Sequence, residues 1–331
     1  VDSLYPAAMG DRLERIISGA DRSWAGRLAR GGLGALSGPY GLAVAVRNAL
    51  FDRGWRPPAA LPRPAVSVGN LTAGGTGKTP ITLDLAERLI ALGHCPAVLL
   101  RGYKGTGDQS DEAALYERAL TGFEPAPAVV AAPSRLAGAK RALAAQPATD
   151  VLLLDDAFQR RQVARDLDLV LLDATCPFGG GRLLPRGRLR EPAANLHRAD
   201  GVIVTRADAV SGDALAALDR EVERLTGSPP LAHAAHRWRG LIDHRGEPRP
   251  IEALAAMRVA GIAGLGNPKA FEDMLRKTAG ELAWMEALAD HARPGAADLD
   301  YLLLRARAAG AEAVVTTAKD WVKWQPTLAN R

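Results

Sequence analysis

The stretch "SVGNLTAGGTGKTP", Ser67 to Pro80, strings together Gly74, Gly75, Thr76, Gly77, Lys78 and Thr79. A glycine-rich turn that runs into a helix can aim its backbone N–H groups, and the helix N-terminus, at phosphate oxygens. A lysine there bridges the phosphates, and a threonine hydroxyl reaches Mg²⁺. The usual pattern is G-x-x-x-x-G-K-[ST]. Gly77, Lys78 and Thr79 fit it, but Thr72 stands at the leading glycine position, and Gly74 and Gly75 supply the flexibility instead. These six residues, Gly74 to Thr79, are the candidate ATP contacts. Deviant P-loop ATPases of the partitioning and metal-insertion kind are the alternative, since they share the "GG-x-GKT" core. They carry a second lysine where this chain has Ala73.

A second acidic constellation lies downstream. "VLLLDDAFQRR" ends an apolar run on Asp155 and Asp156, and ligands gather at the carboxyl ends of parallel strands. The pair therefore reads as the Mg²⁺-binding acids of an ATP site, with Gln159 one helical turn on as a further ligand. Two polar stretches are too particular for plain linkers. "RGYKGTGDQSDEAAL" carries Arg101, Asp111 and Glu112, and "CPFGGGRLLPRGRLREP" carries Arg182, Arg186, Arg188, Arg190 and Glu191. Arginines on such a loop suit an anionic acceptor or the γ-phosphate.

The elements that must position these groups alternate. Apolar runs at 65–71, 96–102, 151–156, 168–174, 201–206, 258–264 and 313–317 are separated by helix-like segments such as "KTPITLDLAERLIALG". Near-continuous apolar strands between helices indicate an α/β fold, a mostly parallel sheet covered on both faces. The stretch 233–251, rich in polar and turn residues, interrupts the rhythm and reads as a join. The expected organisation is an N-terminal helical segment over 1–56, a P-loop domain of the NTPase type over 57–240 and a smaller C-terminal α/β domain over 241–331.

Composition excludes several classes. Of 331 residues, 47% are hydrophobic and 24% charged, ordinary for a soluble globular chain. Two cysteines, Cys95 and Cys176, without a C-x-x-C pair argue against a disulfide framework or a zinc site. The net charge of +5 invites a nucleic-acid partner, but the acids are interspersed and only seven of the 42 basic residues are lysine. No nucleic-acid partner is expected. From Arg22 to Arg56 six arginines face one acid, Asp52, around the short apolar run Tyr40–Val46. That run falls far short of the ~20 residues of a membrane span. It reads either as a segment lying on an anionic membrane surface or as a helix packed on its own domain.

The motifs "VGNLTAGGTGKTP", "RGYKG", "SDEA", "LDDAFQ", "PFGGGRLLPRGRLREP", "GIAGLGNPKAF", "ADHA" and "VVTTAKDWVK" follow one another as in the tetraacyldisaccharide 4′-kinases, which the chain resembles from about Trp24 to Trp324. In that family Thr72 is the regular form of the loop. The resemblance implies ATP- and Mg²⁺-dependent phosphorylation of a lipid A precursor, tetraacyldisaccharide 1-phosphate. It also implies association with inner-membrane lipids, at the cytoplasmic face, through the N-terminal helical region. Carried over, Lys78 and Thr79 take the phosphate and Mg²⁺ roles, and Asp155, Gln159 and Glu191 stand at or near the metal. Asp111 matches the base that takes the proton from the 4′-hydroxyl, and His291 its histidine partner. Arg101, Arg135 and Arg190 become contacts to the acceptor. The chain departs from the family at Ala157 (usually glycine), Arg160 (histidine), Ala113 (proline) and Ala292 (often histidine). The loop between "RGYKG" and "SDEA" is also shorter than usual.

Overall fold

The computed structural model describes residues 15–17, 20–102, 111–235, 237–265, 268–289, 292 and 294–329. The chain divides into two compact units, Ile16–His236 in one and Arg237–Arg331 in the other. In the first, helix α1 (Trp24–Asp52) precedes β1 (Ala65–Asn70), α2 (Lys78–Ala91), β2 (Pro96–Arg101), α3 (Asp111–Ala119), β3 (Ala128–Ala132) and α4 (Arg135–Ala145). Then come β4 (Val151–Asp155), β5 (Leu167–Asp173), β6 (Gly201–Thr205), α5 (Gly212–Thr226) and β7 (Ala232–Ala234). The strands form one sheet in the order β3-β2-β4-β1-β5-β6-β7, every pairing parallel.

Strand side chains alternate between faces, and the sheet uses both. Leu152 and Leu154 of β4 join Ala97 and Leu99 of β2 in one core. Leu153, Val98 and Leu100 enter another with Tyr116 of α3. Beyond β1, on the same face as the first of these cores, Val170 and Leu172 of β5 pack with Val204 and with Leu218 of α5. This two-sided burial is why these strands read as unbroken apolar runs. β1 lies centrally, between β4 and β5, so the turn that follows it opens at the carboxyl edge beside the ends of both neighbours.

The second unit carries the two-residue strands β8 (Leu241–Ile242) and β9 (Pro248–Arg249), then β10 (Arg258–Ala263), α6 (Pro268–Thr278), β11 (Glu281–Ala287), α7 (Ala296–Ala308), β12 (Ala313–Val315) and α8 (Ala318–Ala329). β11-β10-β12 form a parallel sheet. Buried Asp320 accepts from the Gly264 N–H at 2.9 Å and pairs with the equally buried Lys323 at 3.4 Å, which ties α8 to the end of β10.

α1 belongs to the first unit. Gly26, Val44 and Asn48 are buried along one side of it. No helix among the described residues is long and apolar enough to cross a membrane.

Candidate active site

The loop after β1 is shaped by its glycines. Gly74 and Gly77 adopt φ of 125° and 84°, where a Cβ is strained, and Gly77 hands the chain to α2, whose first residue is Lys78. Three neighbours hold the loop from beneath. The Asn70 amide donates to Thr76 Oγ1 at 2.9 Å, the Thr205 hydroxyl donates to the Thr76 carbonyl at 2.9 Å, and Arg206 donates to the Gly75 carbonyl at 2.8 Å. Arg206, itself paired with Asp173, was not singled out by sequence. Its only signal there is a cation directly after a buried strand.

The acidic turn after β4 lies against β1 because Gly69 has no side chain: a Cβ there would stand 2.5 Å from that of Phe158. This approach brings Asp155, Asp156 and Gln159 to the loop. Lys78 Nζ is 3.5 Å from Asp156 Oδ1, and Arg190 donates to the same oxygen at 2.8 Å. Asp156 has φ of 50°, a left-handed conformation that aspartate tolerates better than most residues. Burial would raise its pKa, yet Lys78 and Arg190 together hold it below the ordinary value. Asp156 therefore remains a carboxylate and keeps both cations at the loop.

Asp155 is different. Burial pushes its pKa up to about 6, against the pull of Lys78. Its Oδ2 accepts from the Tyr116 hydroxyl at 3.1 Å, while Oδ1 is buried with no partner among the described residues. An orphaned carboxylate oxygen beside a P-loop threonine is a hard-oxygen donor set that fits Mg²⁺. Mg²⁺ is usually held by one or two carboxylates plus substrate phosphates rather than by an all-protein cage, and no cluster of three metal-ligating side chains occurs among the described residues.

The sign of the Asp155 shift makes a prediction. Its folded pKa, about 6, exceeds the ordinary 3.8, so the fold favours the protonated form and that stability is complete below the unfolded value. It is lost as pH rises through 6, and at neutral pH the bare carboxylate burdens the fold. Asp155→Asn is therefore expected to stabilise the nucleotide-free protein at pH 7.5 by on the order of 1–3 kcal/mol. The gain should close between pH 6 and pH 4, and Mg²⁺-dependent ATP binding should be lost. Thermal denaturation across that pH range checks it, and a lower melting midpoint for the variant at pH 7.5 would contradict it.

The arginine loop is zipped onto the P-loop. The Ala73 N–H donates to the Arg188 carbonyl at 2.7 Å, and the Arg190 N–H donates to the Leu71 carbonyl at 2.8 Å. α1 clamps this loop from outside: the Ser37 hydroxyl donates to the Leu183 carbonyl at 3.1 Å, and Tyr40 donates to the Arg190 carbonyl at 2.9 Å.

The expected site residues thus separate. Lys78, Asp155, Asp156, Gln159 and Arg190 come together. Gln159 is already engaged, its amide donating to the Asn70 carbonyl at 2.7 Å and its oxygen accepting from Arg190 at 3.3 Å. It braces the cluster and does not offer a free ligand. Glu191 is engaged with α1. Fully buried, it spends Oε1 on Arg47 at 2.8 Å and Oε2 on Asn48, Asn195 and Arg198 at 3.0, 2.7 and 2.6 Å. Both oxygens are engaged in the nucleotide-free protein, and the residue anchors α1. The three expected acceptor arginines also divide. Arg190 is bound to Asp156, whereas Arg101 and Arg135 line a separate cavity of about 300 Å³ with Arg160 and Ser134. Arg135 is largely buried and donates to the Asp155 carbonyl. Burial lowers its pKa to about 10. The Asp111 side chain and His291 lie outside the described residues.

A parallel sheet that opens at β1 into a glycine loop, with a lysine facing the acids at the end of the adjacent strand, defines the class of P-loop nucleotide-binding proteins. Within it, a family model described as tetraacyldisaccharide-1-P 4′-kinase matches residues 30–331, and the chain belongs to that family. Two similar relatives are the tetraacyldisaccharide 4′-kinases of Anaeromyxobacter dehalogenans strain 2CP-C, 41% identical over 95% of this chain and 88% of that one, and of Syntrophus aciditrophicus, 39% identical over 87% and 82%. Among solved structures, LpxK of Aquifex aeolicus in complex with ATP is similar at 27% identity and a TM-score of 0.67, over 90% of each chain.

Proposed function

We infer that the chain is an ATP-dependent kinase that phosphorylates the 4′-hydroxyl of tetraacyldisaccharide 1-phosphate, the lipid A precursor, in lipopolysaccharide biosynthesis. The observation that carries the reading is Lys78 at the start of α2, facing Asp156 and Arg190 across the mouth of the P-loop. The partitioning or metal-insertion ATPase is not favoured, since the chain belongs to the 4′-kinase family.

The backbone donors of Gly74–Thr79 and the N-terminus of α2 cradle the β- and γ-phosphates, and Lys78 neutralises charge on the transferred group. Asp111 accepts the proton of the 4′-hydroxyl as its oxygen bonds to the γ-phosphorus. The bond from that phosphorus to the bridging oxygen breaks, and ADP leaves. His291 orients and tunes Asp111. Thr79 and Asp155 would hold Mg²⁺, which would supply further charge neutralisation on the β- and γ-phosphates. Arg101 and Arg135 face the acceptor's anionic and sugar groups. Transfer of labelled γ-phosphate to tetraacyldisaccharide 1-phosphate in detergent micelles tests the reading. ATP hydrolysis without lipid phosphorylation would reject it.

α1 is the membrane-facing element in this reading, at the cytoplasmic face of the inner membrane. At 3.6 residues per turn, Trp24, Leu28, Leu42 and Val46 fall within about 40° of one another, along about 33 Å of helix. They are 75%, 69%, 67% and 52% exposed. This stripe lies opposite the side that carries Val44 and Asn48, and Arg22, Arg27, Arg53 and Arg56 flank it. An exposed apolar stripe with arginines at both ends suits an anionic bilayer surface. Leu28→Asp with Leu42→Asp is expected to weaken co-sedimentation with anionic vesicles about tenfold and to leave the melting midpoint unchanged. Undiminished vesicle binding would remove α1 from that role.

A further inference from the structure

Tyr116 is the largest of the fully buried side chains, and it is not one of the expected site residues. It sits on α3 in the core between the sheet and α2. A phenol can be buried for its ring alone, but its hydroxyl then needs a partner. Here that partner is Asp155: the phenol O–H donates to Oδ2 at 3.1 Å, and Oδ1 stays buried and unpartnered among the described residues. A phenol has one proton to give and lone pairs that accept. That proton is committed to Asp155.

We propose that Tyr116 is a positioning residue for the cation site, giving its hydroxyl proton to Asp155 Oδ2 and so fixing the orientation of that carboxylate. The free Oδ1 of Asp155 is thereby presented to the cation. The inference rests on the reading of Thr79 and Asp155 as the Mg²⁺ ligands. Without the phenol hydroxyl, the Asp155 carboxylate is free to rotate. Partners that orient metal ligands in this way are worth about 10- to 100-fold in metal affinity.

Tyr116→Phe keeps the ring and removes only the hydroxyl. Calorimetric titration with a non-hydrolysable ATP analogue, with Mg²⁺ and with EDTA, separates metal coupling from nucleotide binding and needs no lipid acceptor. Wild type is expected to bind more tightly with Mg²⁺. The variant should keep its EDTA affinity within about twofold and lose about tenfold of the Mg²⁺ enhancement, with addition of more Mg²⁺ restoring binding. An enhancement equal to wild type overturns the proposal. Equal losses with and without Mg²⁺ overturn it too, because they mark a packing role. A wild type that ignores Mg²⁺ overturns the metal reading of Thr79 and Asp155 and this inference with it.

Discussion

Lys78→Ala is expected to lower kcat/KM for phosphoryl transfer by about 10³-fold, since one charge donor aimed at the transferred group is worth about 10²–10³. The side chain is only 15% exposed and is held 3.5 Å from Asp156, so it is pre-positioned and pays little reorganisation on binding ATP. Arg190 remains on Asp156 in the variant, so the acidic turn keeps one of its two cations and the loss reports Lys78 itself. Lys78→Arg should fail as well. A planar guanidinium at the first residue of α2 cannot reproduce a compact ammonium, and it would take Asp156 bidentately beside Arg190. Labelled-phosphate transfer, paired with ATP-analogue binding, separates lost transition-state stabilisation from lost affinity. Transfer above one tenth of wild type in Lys78→Ala would remove the residue from the chemistry.

Glu191→Gln should produce the largest loss of stability. The carboxylate is 0% exposed and meets Arg47 and Arg198, along with two asparagine amides. Breaking a buried ion pair at one end costs about 3–5 kcal/mol, because the partner charge is left uncompensated. Arg47 is 37% exposed and can turn to water, whereas Arg198 is 13% exposed and stacks over Phe158 at 4.4 Å, so most of the cost falls there. For a unit of this size that is a drop of roughly 10 °C in the melting midpoint. A metal ligand would behave otherwise: the variant would keep its stability and lose its Mg²⁺ response. Thermal denaturation of the nucleotide-free protein decides between them, and an unchanged midpoint would restore Glu191 to the metal.

The central strands were legible because each is a continuous apolar run with both faces covered, as "VLLLDD" and "DLVLLDA" are. β3, "AVVAA", was missed: it is short, alanine-rich and flanked by prolines. β11, "ELAWMEA", was missed because leucine, alanine, methionine and glutamate also suit a helix. In the site, the loop from Gly74 to Thr79 and the acids of β4 follow from local order, since a strand end and the turn after it are neighbours in sequence. The partnerships were not legible. Glu191 stands beside Arg190 in the chain, yet its side chain meets α1, whereas that of Arg190 meets Asp156. One loop thus holds a site residue and a structural anchor side by side. Tyr116 gave no signal, and Arg206 only that of a cation after a buried strand, because their roles depend on which strands lie next to one another.

The clamp on α1 sets an order of events for a chain made from its N-terminus. Arg47 meets Glu191, a residue 144 positions downstream, and at about 5–20 residues per second that separation is roughly 7 to 30 s of synthesis. β1 also waits, its neighbours β4 and β5 arriving only after β2, α3, β3 and α4 have emerged. Among the described elements, the first helix to leave the ribosome is thus among the last to be secured. Throughout that interval Ser37, Tyr40 and Arg47 lack their partners in the arginine loop, and the apolar stripe is open to whatever surface stands nearest.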